Sequence, residues 1–208
     1  MEQLHTGLLV SLEGIDGSGK STLAAALYKQ LNTRKISTLL TKEPGGTCLG
    51  DMIRPLILQR TCRIDTKAEY LLFAAGRAQH FDEVVLPALD KGMVVISDRM
   101  ADSSLVYQGY AKGLEIPMLE TINSWSMNAR HPDLTFYLKL SVDKALERIH
   151  LRGDATTDFE KRDLLQKSIE GFEKIFNNKP HVIILDALET QQTLAEQALV
   201  AVLSYMRQ

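Results

Sequence analysis

Residues 14–21 read Gly14-Ile15-Asp16-Gly17-Ser18-Gly19-Lys20-Ser21, and this stretch decides the fold of the 208-residue chain. It follows the pattern G-x-x-x-x-G-K-[ST], which carries its meaning only between a strand and a helix. The apolar run Leu8–Leu12 precedes it, and the amphipathic segment Ser21–Leu31 follows it. Leucines recur in that segment at every fourth position, which places them on one helical face. We therefore predict a phosphate-binding loop (P-loop) between a first strand and a first helix.

The residue types of this loop suit the phosphates of a nucleotide. Glycines let backbone N–H groups approach phosphate oxygens without a Cβ in the way, and the helix N-terminus adds partial positive charge. Lys20 is expected to reach the β- and γ-phosphates of ATP, and the Ser21 hydroxyl to ligate Mg²⁺. The alternative is a glycine-rich turn of purely structural use. The predicted ATP-binding residues are Gly14, Ile15, Asp16, Gly17, Ser18, Gly19, Lys20, Ser21 and Thr22.

Further along the chain, apolar bursts alternate with longer amphipathic stretches. The predicted strands after the first are Ser37–Thr41, Met93–Ser97, Leu134–Leu140 and Val182–Leu185. One helix is predicted to begin with the capping box Thr66-x-x-Glu69 and to stop at Gly92, and further helices start near Pro117 and Asp143. This alternation predicts an α/β protein of the P-loop NTPase type, with a five-stranded parallel sheet between two helical layers.

No repeat or linker divides the sequence, so we expect a single domain over residues 1–208. Its least apolar part lies at about residues 152–163, around Gly153–Asp163, and is rich in Asp, Thr and charge. This part is either a solvated loop or a small mobile lid, and its composition does not separate the two.

The overall composition argues against several classes of protein. The net charge is -2, so the chain has no basic field to attract a nucleic-acid polymer. The two cysteines, Cys48 and Cys62, are too few for a disulfide scaffold or a zinc site. No apolar run approaches membrane-spanning length, and the acidic Glu2 does not suit a secretory signal. We expect a cytoplasmic protein without a nucleic-acid or membrane partner.

A second metal-ligand candidate follows the strand Met93–Ser97. Asp98 ends this apolar run, and in a P-loop fold a strand-end aspartate beside the loop can hold Mg²⁺, directly or through water. Aspartate is also a common turn former, which is the structural alternative.

Several segments together make the chain resemble the thymidylate kinase family, whose members phosphorylate dTMP with ATP. Beside the P-loop, they are Thr41-Lys42-Glu43-Pro44-Gly45-Gly46-Thr47, Leu72-Phe73-Ala74-Ala75-Gly76-Arg77-Ala78-Gln79-His80, Asp98-Arg99 and Tyr107-Gln108-Gly109. The resemblance covers nearly the whole chain. It implies transfer of the γ-phosphoryl group of Mg-ATP to dTMP, giving dTDP and ADP in dTTP synthesis for DNA replication. It also implies a homodimer.

The same resemblance implies which residues bind dTMP. Phe73 would stack on thymine, Arg77 would donate to its O4 atom, and Gln108 would lie near the base. Tyr107 would pack under the sugar, and Arg99 would clamp the monophosphate with its planar guanidinium. The remaining implied contacts come from Glu43 and Pro44, which shape the loop beside the acceptor phosphate, from Ser104 near that phosphate, and from Asp16 at the sugar hydroxyl or a phosphate-bound metal.

The chain departs from the family pattern in its cationic residues. Gly17 stands where some members of that family carry a catalytic arginine in the P-loop, and the resemblance implies that a chain without it takes arginines from the lid instead. Arg148 and Arg152 lie four residues apart, on one helical face, although Asp158 stands where a lid arginine is expected. The predicted catalytic residues are Lys20, Arg99, Arg152, Arg148 and Asp16, with Arg162 as a substitute, and the predicted metal ligands are Ser21, Asp98 and Asp16.

Three other functions stay open at this point. A deoxynucleoside kinase shares the P-loop but needs a carboxylate base near the 5′-hydroxyl and no clamp for a monophosphate. A guanine-nucleotide switch would carry Asn-Lys-x-Asp, and Asn178-Lys179-Pro180-His181 lacks the aspartate. An inactive relative would bind nucleotide and a partner protein without turnover, as the unusual Asp158 allows.

Overall fold

The structure, a computed structural model, describes residues 7–59, 62–151 and 158–207. In these ranges five strands pair in parallel, in the order β2-β3-β1-β4-β5. They are β1 (Leu8–Glu13), β2 (Thr38–Lys42), β3 (Val94–Asp98), β4 (Leu134–Lys139) and β5 (Val182–Asp186). The predicted α/β class and five-stranded parallel sheet are confirmed, and each predicted strand differs from the observed one by a residue at one or both ends.

Helices connect the strands and cover the sheet. They are α1 (Lys20–Thr33), α2 (Cys48–Leu58), α3 (Thr66–His80), α4 (Leu86–Asp90), α5 (Ala101–Ser104), α6 (Ile116–Ser126), α7 (Val142–His150), α8 (Asp158–Phe176) and α9 (Gln191–Tyr205). A π-helical turn, Phe81–Val85, joins α3 to α4, and a second, Leu105–Ala111, continues α5. In the part of the chain that is described, no helix is long and apolar enough to cross a membrane.

The start of α3 corrects a prediction made from the sequence. Thr66 does not cap the helix, because it already has helical geometry as the first residue of α3. Asp65 is the cap: its backbone is extended, and its carboxylate accepts a hydrogen bond of 3.0 Å from the Lys67 amide. Gly92 follows α4 with a φ of 72°, in agreement with the predicted stop.

The strand β1 shows how the two helical layers hold the sheet. Val10 and Leu12 belong to the larger core, formed with helices α1, α7, α8 and α9. Leu9, between them, packs on the opposite face against a cluster that includes Phe81 and Leu89. Side chains that alternate between two buried faces explain why Leu8, Leu9, Val10 and Leu12 are all apolar, rather than apolar on one face and polar on the other.

The strand order brings the chemistry-bearing loops to one edge of the sheet. After β1 the chain crosses over to β2, toward one edge of the sheet, and after β3 it crosses over to β4, toward the other edge. A crevice therefore opens at the carboxyl ends of these two strands. Hydrogen bonds tighten its floor: the Arg99 amide donates to Leu12 O (3.1 Å), and the Glu43 amide donates to Asp98 O (3.1 Å).

Candidate active site

The P-loop, residues 14–19, wraps tightly between β1 and α1. Gly14, Gly17 and Gly19 all have left-handed φ values, of 143°, 84° and 99°. A Cβ on Gly14 would lie 2.7 Å from Leu138 O, and one on Gly17 would lie 2.9 Å from Ala145 O. Backbone packing against β4 and α7 thus excludes a side chain at either position. This packing explains why position 17 is glycine. An arginine cannot stand there, so a catalytic arginine has to come from another segment.

Lys20 lies buried under the P-loop. Its Nζ atom donates hydrogen bonds to Ile15 O at 2.8 Å and to Ser18 Oγ at 3.4 Å. Burial, and secondarily the positive charge of Arg99, lower the pKa of Lys20 to about 7. A lysine held this way gains its full charge when anionic phosphates enter the loop.

The two side chains predicted to ligate a metal, Ser21 and Asp98, meet at the open side of the loop. The Ser21 hydroxyl donates to Asp98 Oδ2 at 2.5 Å, and both residues line the cleft beside the P-loop. In the described ranges, no cluster of three His, Cys, Asp or Glu residues could hold a metal ion by itself. One hydroxyl and one carboxylate suit Mg²⁺, which keeps several waters and takes its other ligands from substrate phosphates.

A second cavity, of about 250 Å³, adjoins this cleft. All nine residues predicted to bind dTMP line it: Asp16, Glu43, Pro44, Phe73, Arg77, Arg99, Ser104, Tyr107 and Gln108. They come from the P-loop and from the segments after β2 and β3, together with α3 and the second π-helical turn, Leu105–Ala111. The structure therefore brings together residues that are up to 92 positions apart in the sequence, from Asp16 to Gln108.

Arg99 stands where the cavity meets the P-loop. Its Nη1 atom donates to Gly14 O (3.0 Å) and Ser103 Oγ (2.9 Å), and its Nη2 atom donates to Asp16 Oδ1 (2.5 Å). The guanidinium also lies 5.2 Å from the centre of the Tyr107 ring. The residue adopts a left-handed φ of 72°, which costs on the order of 1–2 kcal/mol for a residue other than glycine. Contacts on several sides hold it there.

Glu13 supports Arg99 from below. It is fully buried and accepts hydrogen bonds from the Met100 amide (2.8 Å) and from the Ser103 hydroxyl (2.6 Å), which in turn contacts Arg99. Burial, together with the nearby carboxylate of Asp102, raises the pKa of Glu13 to about 7. A carboxylate therefore fixes the turn that presents Arg99 to the cavity.

Arg77 is fixed at the other end of the cavity. Its Nε atom donates to Glu43 Oε2 (2.8 Å), Nη1 donates to Asn123 Oδ1 (2.7 Å) and Nη2 donates to Ser104 Oγ (3.0 Å). One N–H on each terminal nitrogen remains for a ligand, since guanidinium has five. Ser104 thus lies at the Arg77 end of the cavity, whereas its neighbour Ser103 contacts Arg99.

Glu43 is the buried counter-ion of this arrangement. It pairs with Arg77 and with His80 Nδ1, which lies 3.2 Å away, and only 6% of Glu43 is exposed. Burial opposes its charge, but Arg77 and His80 outweigh that effect and lower the pKa of Glu43. Arg77 is therefore held by a buried counter-ion as well as by Asn123 and Ser104.

The predicted lid arginines have different positions. Arg148 donates to three carbonyl oxygens, those of Gly17 (3.2 Å), Ser18 (3.5 Å) and Ala187 (2.8 Å), and so braces the P-loop from the α7 side. Arg162 forms an exposed ion pair with Asp143. Arg152 and residues 153–157 of the predicted lid lie outside the described residues, and the predicted role of Arg152 stays a prediction.

Several residues of the site were not identified from the sequence. Asn123 carried no signal, because it lies 46 positions from the arginine that it contacts. Glu13 did carry one: a carboxylate that ends an otherwise apolar buried strand needs a partner. Glu69 was identified only as part of a capping box, but its side chain lines the cavity.

Known proteins match this chain over most of its length. A sequence model of the Thymidylate kinase family matches residues 12–198. A thymidylate kinase from Halothermothrix orenii is 51% identical over 142 residues, 68% of this chain and 69% of that protein. One from Bacillus pumilus is 35% identical over 199 residues, 93% of this chain and 94% of that protein. The crystal structure of the Ehrlichia chaffeensis thymidylate kinase is 28% identical, with a TM-score of 0.76 over 94% of this chain and 98% of its own. This chain belongs to the thymidylate kinase family.

Proposed function

We propose that this protein transfers the γ-phosphoryl group of ATP to dTMP, giving dTDP and ADP for dTTP synthesis. The observation that carries the proposal is the junction of two cavities. The P-loop cleft and the cavity lined by Phe73 and Arg77 share Asp16 and Arg99 as common walls. A phosphate held at Arg99 would therefore face a phosphate held in the P-loop, as an in-line transfer between two nucleotides requires.

The charges around the acceptor cavity favour a monophosphate over a nucleoside. Each described carboxylate that lines the cavity is paired with a cation: Asp16 with Arg99, Glu43 with Arg77, and Glu69 with Lys112. A nucleoside kinase instead needs an available carboxylate to accept the proton of the 5′-hydroxyl. The phosphate of dTMP is already a nucleophile, so catalysis rests on positioning and on neutralisation of charge.

Mg²⁺ is part of this proposal. Ser21 and Asp98 would hold it, Asp98 directly or through water, and Asp16 is a further candidate because its carboxylate lies at the junction of the cavities. When bound with ATP, the ion neutralises charge on the β- and γ-phosphate oxygens. Lys20 and the amides of the P-loop supply the remaining positive charge.

A third cavity extends the P-loop cleft toward β5. It has a volume of about 220 Å³ and is lined by P-loop residues, by Arg148 and by the segment Ala187–Gln191. Its position on the far side of the P-loop from the dTMP cavity suits the adenosine part of ATP. We assign Arg148 to this part of the site and keep Arg152, from the lid, as the arginine that would act on the γ-phosphoryl group.

The outer surface of three neighbouring helices suits a homodimer. The exposed apolar side chains there are Leu49, Met52 and Leu56 on α2, Leu71 on α3, and Met118 and Trp125 on α6. Trp125 is 80% exposed, which is unusual for so large an apolar side chain without a partner surface. The molar mass in solution, and its reduction by Trp125→Glu, would test the dimer.

The free, exposed thiols of Cys48 and Cys62 support a reducing, cytoplasmic location.

A coupled assay that detects ADP tests the proposed function. ATP is offered with dTMP, dUMP, dCMP, AMP or thymidine, and we expect the highest kcat/KM for dTMP and negligible turnover of thymidine. Rapid turnover of thymidine with none of dTMP would overturn the proposal in favour of a nucleoside kinase. Tight binding of ATP and dTMP without turnover of either would identify an inactive relative.

A further inference from the structure

Glu69 lies on the same face of α3 as two residues that are expected to contact the base. It precedes Phe73 by four positions and Arg77 by eight, so the three side chains line one edge of the acceptor cavity. Its side chain is mostly buried, at 13% exposure. Oε1 of Glu69 accepts hydrogen bonds from Gln108 Nε2, at 2.7 Å, and from Lys112 Nζ, at 2.5 Å.

These contacts decide which end of the Gln108 amide meets a ligand. An ionised carboxylate only accepts hydrogen bonds, so the Gln108 NH₂ group has to face Glu69. The amide atom that remains for the cavity is the carbonyl oxygen Oε1 of Gln108. If Glu69 were an amide instead, it could donate as well as accept, and Gln108 could turn over and present its NH₂ group to the cavity.

We propose that Glu69 determines base specificity by holding Gln108 as a hydrogen-bond acceptor for the N3–H group of thymine. This inference rests on the function proposed above. With Gln108 as acceptor and Arg77 as donor, the cavity matches the N3–H and O4 of thymine. Cytosine presents the opposite pattern, a bare N3 and an amino group, and leaves both protein groups unmatched in a buried site. Each such mismatch costs about 1–3 kcal/mol.

Lys112 stabilises the charge of the mostly buried Glu69 carboxylate. Its ammonium group pairs with the Glu69 carboxylate, which would otherwise be a poorly solvated charge beside the base. Lys112 directly follows the π-helical turn and lies four positions after Gln108. The turn therefore brings an amide and a cation together on one carboxylate oxygen.

The decisive measurement compares dTMP with 5-methyl-dCMP. The two share the methyl group, sugar and phosphate and differ only at the N3 and C4 edge. We expect Glu69→Gln to lower the ratio of their kcat/KM values by about tenfold or more, because it releases Gln108. Glu83→Gln is the matched control: Glu83 also accepts a hydrogen bond from a glutamine amide, that of Gln79, but is exposed and does not line the cavity. It should leave the ratio unchanged.

A double-mutant cycle separates this role from a merely structural one. Gln108→Leu alone should lower the ratio about tenfold, and Glu69→Gln should then lower it no further, because its effect passes through Gln108. An undiminished effect of Glu69→Gln on the ratio in the Gln108→Leu background would overturn the inference. So would an unchanged ratio in Gln108→Leu, even if Glu69→Gln does not fold.

The wild-type protein distinguishes this inference from the function on which it rests. If it turns over dTMP but Glu69→Gln leaves the ratio unchanged, the role of Glu69 is wrong and the proposed function stands. If the wild type does not turn over dTMP, the proposed function fails, and the specificity proposal fails with it.

Discussion

Nη2 of Arg99 lies 2.5 Å from Oδ1 of Asp16, so the arginine at the acceptor cavity is tied to a carboxylate inside the P-loop. The pair joins the segment after β3 to the loop after β1, across the crevice between these neighbouring strands. Asp16 keeps 60% of its side chain exposed, whereas Arg99 keeps 17%. An acceptor phosphate that reaches Arg99 therefore arrives beside the P-loop, where the phosphates of ATP are expected.

This geometry predicts a selective loss when Arg99 becomes lysine. An ammonium group cannot reproduce the fork that contacts Gly14, Ser103 and Asp16 together. We expect Arg99→Lys to lower kcat/KM for dTMP about 100-fold, which corresponds to about 3 kcal/mol. The affinity for ATP should change less than about threefold on the same scale. Steady-state kinetics and calorimetric titration with ATP measure both quantities.

Arg34→Lys is the control for this substitution. Arg34 is exposed at the C-terminal end of α1 and donates one hydrogen bond, of 3.0 Å, to Gln30 O. Its kinetics should match the wild type. An equal loss of dTMP and ATP affinity in Arg99→Lys would contradict the assignment and indicate a general disturbance of the P-loop.

Local sequence patterns predicted the sheet but not the interior of the site. Each strand is short, apolar and next to a turn or helix signal, so its position follows from neighbouring residues, as for Leu8–Glu13 and the glycines after it. The partners of Arg77 are different, because Glu43 and Asn123 reach it from 34 and 46 positions away. Only the folded chain decides such contacts. The motifs named the residues of the cavity, but not the hydrogen bonds that orient them.

Glu13 predicts a pH dependence of stability. Its pKa in the folded protein is about 7, above the ordinary value of 4.5, so the folded state holds this proton more tightly than the unfolded state. Stability from this group is therefore fully present below about pH 4.5 and is lost as pH rises toward 7. Glu13→Gln cannot ionise. Its free energy of unfolding, relative to the wild type, should rise over that window by on the order of 3 kcal/mol and stay level above it.

Denaturant titrations at several pH values measure this difference. Asp102→Asn offers a comparison, because burial raises the pKa of Asp102 to about 6 and the sign is the same. The gain from Asp102→Asn should therefore be complete near pH 6 rather than pH 7. A difference between Glu13→Gln and the wild type that does not depend on pH would contradict the assigned ionisation.

Lys20 predicts proton uptake when ATP binds. Its pKa of about 7 in the free protein means that most Lys20 is neutral at pH 8, and phosphate anions in the loop favour the charged form. Calorimetry in buffers of different ionisation enthalpy should detect uptake of about one proton per ATP at pH 8, and little from this residue at pH 6. In Lys20→Arg, whose guanidinium stays charged, this uptake should disappear. The same uptake in Lys20→Arg would assign the proton to another group.

Arg148 and Arg152 should separate kinetically. Arg148→Ala removes three hydrogen bonds to carbonyls around the P-loop and should weaken ATP binding about tenfold, with a smaller effect on kcat. Arg152→Ala should lower kcat about 100-fold with little change in dTMP binding, as expected for a cation that acts on the transferred group. Binding titrations alongside steady-state kinetics distinguish the two. If Arg148→Ala instead lowers kcat and leaves ATP binding intact, the roles are reversed.

The phosphoryl transfer itself is tested most directly with ATP that carries ³²P at its γ-phosphate. Incubated with the protein, magnesium and dTMP, the label should move to the β-phosphate of dTDP, in amounts equal to the ADP formed. Label that appears as inorganic phosphate, or as labelled dTMP when thymidine replaces dTMP in the incubation, would contradict a transfer between two nucleotides bound at Arg99 and the P-loop.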